Sequence, residues 1–185
     1  MNNTTQTHIC YSEVYRAMKR IPQKVIKAII GEPFYEIFQL ANLLIINIGE
    51  DIKFSLHTNC FVRIIKGGHI LLTTSDEFFA PDGSQLPHSD VYDEKLSDPN
   101  SLLTFNIKKV NNLLQKQRIQ NIIQKQCGDL EIYFNNGTII QILIDCLPMH
   151  DECYRLIEFL PCYDSNKSKH FVVYCNRGDI CVKNE

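Results

Sequence analysis

Two stretches of this chain repeat one another in order. Residues 43–65, LLIINIGEDIKFSLHTNCFVRII, and residues 129–158, DLEIYFNNGTIIQILIDCLPMHDECYRLIE, each run strand, tight turn, strand, cysteine, and then an arginine among apolar residues. Arg63 lies in Val62-Arg63-Ile64-Ile65, and Arg155 in Tyr154-Arg155-Leu156-Ile157. Identity is low, but the order is kept at an offset of roughly 85 residues, which reads as an internal duplication. A helical pattern precedes each stretch: Ile29-Ile30 stands before Ile37 as Leu113-Leu114 stands before Ile122. The unit is a helix followed by an antiparallel sheet, used twice.

The second arm of the first hairpin alternates Ile52, Phe54 and Leu56 with Lys53, Ser55 and His57, so one face is expected to be buried and the other wet. Phe34–Leu40, Leu43–Ile48, Ile52–His57, Phe61–Ile65 and His69–Thr73 are predicted as one meander, with Gly67-Gly68 supplying the positive φ of the last turn. Arg118–Gln126, Leu130–Phe134, Ile139–Ile144, Tyr154–Phe159 and Phe171–Tyr174 are predicted as the second, turning at Asn136-Gly137. Helical spacing is read in Ser12–Ile21, again from Val25 to Ile30 before Gly31, and over Ser101–Lys116. The resulting expectation is an α+β fold: two pseudo-repeated antiparallel β-meanders packed face to face, with short helices. Residues 1–185 form a single domain, with repeats at about 25–75 and 110–176 and an acidic connection at 76–100.

With 19 basic and 21 acidic residues the formal charge is −2, which gives the whole surface no general attraction to nucleic acid or membrane. No apolar run approaches the ~18 residues that span a bilayer, and a cytoplasmic protein is expected. Several of the eight cysteines sit inside apolar strand patterns, so reduced thiols are expected.

Few residues ask for chemistry. An arginine in an apolar strand needs a partner, and the structural role assigned to Arg63 and Arg155 is to tie each sheet to a loop, through a carboxylate such as Asp76 or Asp145. Cys146, His150 and Cys153 carry zinc-ligand atoms but lack the paired C-x2-C knuckle, so neither a metal nor a cofactor is expected. Cys60 follows His57 by three residues, which on an extended segment puts the side chains on opposite faces. Ser75-Asp76 has no Gly-x-Ser-x-Gly elbow. No catalytic residue is assigned. Arg16, Lys19, Arg20, Lys24 and Lys27 read as the solvated side of the N-terminal helical segments.

The segments Leu56-His57-Thr58-Asn59-Cys60-Phe61-Val62-Arg63-Ile64 with Ser75-Asp76, Gly128–Phe134 with Asn136-Gly137, Tyr154-Arg155-Leu156, and His170–Val173 together resemble a family of small uncharacterised bacterial proteins. The likeness covers most of residues 25 to 176. The chain departs from it where the family usually has tryptophan before each arginine; here stand Val62 and Tyr154. Members often lie beside polymorphic toxin or contact-dependent inhibition loci. The resemblance therefore implies an immunity protein that binds and neutralises a cognate toxin domain, without catalysis. A nuclease toxin is basic, and acidic residues of the connection, Asp76, Glu77, Asp82, Asp90, Asp93 and Glu94, are the candidate toxin-binding side chains. The alternative is a small enzyme or ligand-binding protein with a pocket between the repeats.

Overall fold

Alternation sets the hairpin at Asn136-Gly137. Leu130, Ile132 and Phe134 point inward from one strand and Thr138, Ile140 and Ile142 from the next, while Gly137 takes the positive φ of 80° that the turn requires. The computed structural model describes residues 20–86, 99–144, 151–159, 168–176 and 179–184. Within them the order is α1 (Gln23–Ile29), β1 (Phe34–Leu40), β2 (Leu43–Ile48), β3 (Phe54–Thr58), β4 (Phe61–Lys66), β5 (His69–Thr73), a 3-10 turn (Thr74–Phe78), α2 (Leu102–Leu114), β6 (Ile119–Gln124), β7 (Leu130–Phe134), β8 (Thr138–Leu143), β9 (Asp151–Phe159), β10 (Ser168–Asn176) and β11 (Asp179–Asn184). The helical reading from Ser12, and the sites read at Cys146 and His150, lie outside the described residues.

The strands form two antiparallel sheets, ordered β1-β2-β3-β9-β10-β11 and β5-β4-β8-β7-β6, and with the two short helices the fold is α+β. Neither sheet is the five-strand meander expected of a single half. After β3 the chain leaves its sheet, and β3 pairs instead with β9, Leu56 opposite Leu156, while β4 pairs with β8, Ile64 opposite Ile140. The exit is fixed by Thr58, whose buried hydroxyl accepts the Cys60 N–H at 3.0 Å and donates to the Cys153 carbonyl at 3.1 Å. Each sheet thus contains three strands from one half beside strands from the other.

Two register shifts fall at matching places, after Phe34 in β1 and after Ile119 in β6. The starts of those strands also bond reciprocally: Phe34 N–H donates to the Gln117 carbonyl at 2.8 Å and Ile119 N–H to the Glu32 carbonyl at 3.0 Å.

One contiguous apolar cluster takes in side chains of both sheets and both helices. Ser101 starts α2 by accepting the Thr104 N–H at 3.1 Å, and Leu103, Ile107, Val110 and Leu114 form its buried stripe. Asn111, on the same helix, accepts from Ile37 N–H at 2.7 Å and donates to Ile37 C=O at 2.8 Å. Its amide therefore stands where a neighbouring strand would, at the free edge of β1.

The first hairpin differs from expectation in two respects. Ile52, expected to open the strand, sits in the turn at φ 51°, and β3 begins at Phe54. The turn is tight because a Cβ on Gly49 would come within 2.9 Å of Lys53, and Gly49 itself holds φ 96°. The face expected to be wet is also buried in part: Ser55 is 3% and Asn47 6% exposed, and both are hydrogen-bonded there.

Candidate functional site

The described acidic candidates, Asp76, Glu77 and Asp82, are put to different uses. Asp76 is committed to local structure: its carboxylate accepts from Thr73 N–H at 3.0 Å and Thr73 Oγ1–H at 2.9 Å, closing a capping box on the 3-10 turn, and from Asn106 Nδ2 of α2 at 2.9 Å. Asp82 is exposed and shapes its own turn by accepting the hydroxyl and backbone N–H of Ser84, which hold its carboxyl below the usual range. Asp90, Asp93 and Glu94 lie outside the described residues.

Glu77 alone of the described candidates lines a cavity. The space, about 320 Å³, lies where the first half crosses between sheets, closed on one side by the 3-10 turn and by Leu103 of α2. Glu77 meets there the amides of Gln39, Asn42 and Asn59, the hydroxyl residues Thr74 and Ser75, and the rings of Phe61 and Phe78. Burial raises the Glu77 carboxyl above its ordinary value, opposed by a hydrogen bond from Gln39 Nε2 at 3.3 Å. Gln39 Nε2 also donates to the Ala41 carbonyl at 3.0 Å. Two acceptors on one side fix the amide's orientation and leave Gln39 Oε1 buried with no partner among the described residues.

The bonds of both arginines among the described residues run along or between strands. Arg63 Nε donates to Gln141 Oε1 at 2.6 Å across the β4–β8 seam, and Gln141 Nε2 passes the chain to Glu131 Oε1 at 3.0 Å. Arg155 holds Glu152 by two bonds, Nε to Oε1 at 3.0 Å and NH2 to Oε2 at 2.8 Å. The Asp76 carboxylate is taken instead by Thr73 and Asn106, and Asp145 lies outside the described residues. Because a guanidinium only donates, its NH1 contact with His170 Nδ1 at 3.0 Å makes that nitrogen the acceptor, and Nε2–H then donates to Ser168 Oγ at 2.8 Å.

A serine–histidine pair stands beside Arg155 and was not singled out in the sequence. His57 Nε2 is 3.0 Å from Ser55 Oγ, but the chain of bonds runs the wrong way for a nucleophile. Asn47 Nδ2 donates to Glu36 Oε1 at 3.1 Å, so Asn47 Oδ1 faces Ser55 and takes its hydroxyl proton at 2.7 Å. Ser55 must then accept from His57 Nε2–H. The imidazole is a donor here and not a general base. The signal for this row was available: Ser55 and His57 are two residues apart on a strand and so share a face.

Cys60 is 2% exposed and donates its thiol to the Cys153 carbonyl at 3.1 Å, away from His57. Cys60, Cys127, Cys153 and Cys181 are not in disulfides. Among the described residues no group of His, Cys, Asp or Glu could hold a metal ion, and no helix is long and apolar enough to cross a membrane. Lys24 and Lys27 lie on the exposed side of α1. No protein-family model matches the chain, and no curated protein or solved structure does either.

Proposed function

We propose that this protein works by binding another protein, and that the partner is a bacterial toxin domain which it neutralises by occlusion in the cytoplasm. The observation that carries the reading is a concentration of exposed aromatic residues beside the acidic connection. Phe78, Phe79 and Phe105 are 49%, 40% and 43% exposed. Leu102 N–H donates to the Phe79 carbonyl at 2.6 Å, which fixes the end of the 3-10 turn against the first turn of α2, the turn that carries Phe105. Aromatic side chains held on short rigid elements lose little entropy on docking and are typical anchors of interfaces. The acidic residues next to them in sequence would steer a basic partner and set the salt dependence of association.

The same reading takes the two halves as copies of one unit, packed face to face with their last strands exchanged. It is supported by the order helix, three strands, crossing and return in both halves, by the matching register shifts in β1 and β6, by an arginine on the fourth strand of each half, and by the reciprocal bonds at Phe34 and Ile119.

The test is to look for a toxin domain encoded beside the gene and to co-express it with this chain, scored by growth rescue and co-purification. Phe79→Ser with Phe105→Ser should leave the fold intact and abolish rescue. Neutralising Asp90, Asp93 and Glu94 together should slow association and flatten its salt dependence. Full rescue by the double phenylalanine variant would overturn this interface.

A further inference from the structure

We infer that the cavity beneath the 3-10 turn is a binding site for an organic cation, a primary ammonium or guanidinium group on a short alkyl chain. Three observations point the same way. None of the side chains lining the cavity is basic, so it offers an anion no positive charge to pair with. Glu77 lines it, and among the described residues its carboxylate is held by the neutral Gln39 amide. Phe61 and Phe78 line the same space, and aromatic rings attract cations while tolerating the alkyl part of the ligand. Asn42 and Asn59, also in the lining, carry further amide acceptors.

The volume, about 320 Å³, suits a ligand of amino-acid side-chain size. Burial that raises the Glu77 carboxyl also makes the empty site unfavourable for a bare charge, and a bound cation would reverse that shift. The inference stands apart from the toxin reading, since it concerns the cavity and is tested without a partner.

The experiment is calorimetric titration of the full chain with agmatine, with Nα-acetyl-arginine methylamide and with inorganic phosphate. Saturable binding of agmatine is expected, weakened at least about ten-fold by Glu77→Gln, because one charge-assisted hydrogen bond is lost. Phe78→Leu should weaken it by roughly two- to five-fold through the lost ring face. Asp82→Asn, outside the cavity, should leave it unchanged. Thermal unfolding confirms that each variant is folded. If the blocked arginine binds as agmatine does, the natural source is a side chain of a docked protein; if agmatine alone binds, it is a free amine. Absence of saturable binding by either cation up to about 10 mM, binding that survives Glu77→Gln in the folded variant, or equal binding of phosphate would each overturn the inference.

Discussion

Arg63 and Arg155 occupy the same kind of place and solve it with different chemistry. Each lies where a strand of one half pairs with the third strand of the other, Arg63 opposite Gln141 and Arg155 opposite His57. Arg63 reaches across the seam to a neutral amide, whose own amide group donates to Glu131; Tyr133 OH at 2.6 Å and Lys125 at 3.0 Å complete that carboxylate's partners. Arg155 finds its carboxylate on its own strand. Residues three apart on a regular strand face opposite ways, but the register of β9 shifts between Glu152 and Tyr154, leaving Cys153 as an extra residue and returning Glu152 to the face of Arg155. The backbone position asks only for a planar donor at the seam. The bulge and the residue opposite decide whether its surroundings respond to pH, and among the described residues it is Arg155 that has a histidine opposite, His57.

The largest effect that could break this comparison lies one residue before each arginine. Val62 and Tyr154 are both fully buried, but the Tyr154 hydroxyl donates to the Gly128 carbonyl at 2.8 Å and accepts from Gln124 Nε2 at 2.9 Å. Burial pushes its phenol far above the usual range, so it is neutral throughout. Tyr154→Ala is expected to cost about 3–5 kcal/mol by urea unfolding, and Tyr154→Phe about 1–3 kcal/mol from the two groups left unpaired. Costs below 1 kcal/mol for both would mean that the second half has no anchor that the first lacks.

What could be read from the sequence follows the range of each interaction. Strand limits set by local alternation and turns were legible, and Phe34–Leu40, Leu43–Ile48, His69–Thr73 and Leu130–Phe134 stand as expected. Pairing was not, because whether β3 adds β4 or β9 depends on the Thr58 hydroxyl and on a strand about a hundred residues away. β11 escaped notice because a short edge strand ending in Lys183 and Asn184 has little apolar pattern. Among the acidic candidates, composition could not separate Asp76, consumed by a capping box, from Glu77 one residue later, which lines the cavity. The partner of each arginine was beyond reach for the same reason as the pairing.

Titration sharpens the comparison, because the two clusters should fail in different pH windows. In the Arg63 cluster, burial would raise the Glu131 carboxyl, but hydrogen bonds from Tyr133, Lys125 and Gln141 outweigh it and leave it below its ordinary 4.5. Its contribution to stability is therefore complete above that value and lost as pH falls below it. Beside Arg155, His57 is lowered from 6.5, first by burial and then by the charge of Arg155. The unfolded chain binds that proton more readily, so stability should fall as pH drops below about 6.5 and level off below the folded value. Urea midpoints between about pH 8 and pH 3 should show both steps. Glu131→Gln should remove the lower one and cost about 1 kcal/mol at neutral pH through its weakened acceptors. His57→Gln should remove the upper one and leave the lower intact. A single step, unaffected by His57→Gln, would show that the seam does not sense pH at Arg155.

The smallest effect tests the bulge itself. Arg155 and Glu152 are 27% and 37% exposed, so water screens their attraction, and Glu152→Gln is expected to cost only about 0.2–1 kcal/mol, less at high salt. Stability alone would barely register the change, but the His57 titration should. The Glu152 charge works against the lowering of the His57 pKa, while Arg155 works with it. Removing the carboxylate removes that opposition, so the upper step in the pH profile should grow deeper and level off at lower pH, with its onset near 6.5 unchanged, even where the midpoint at neutral pH hardly changes. If Glu152→Gln left the depth and lower end of the upper step unchanged, the register shift in β9 would orient Glu152 without coupling it to the seam, and the two arginines would differ in partner but not in response.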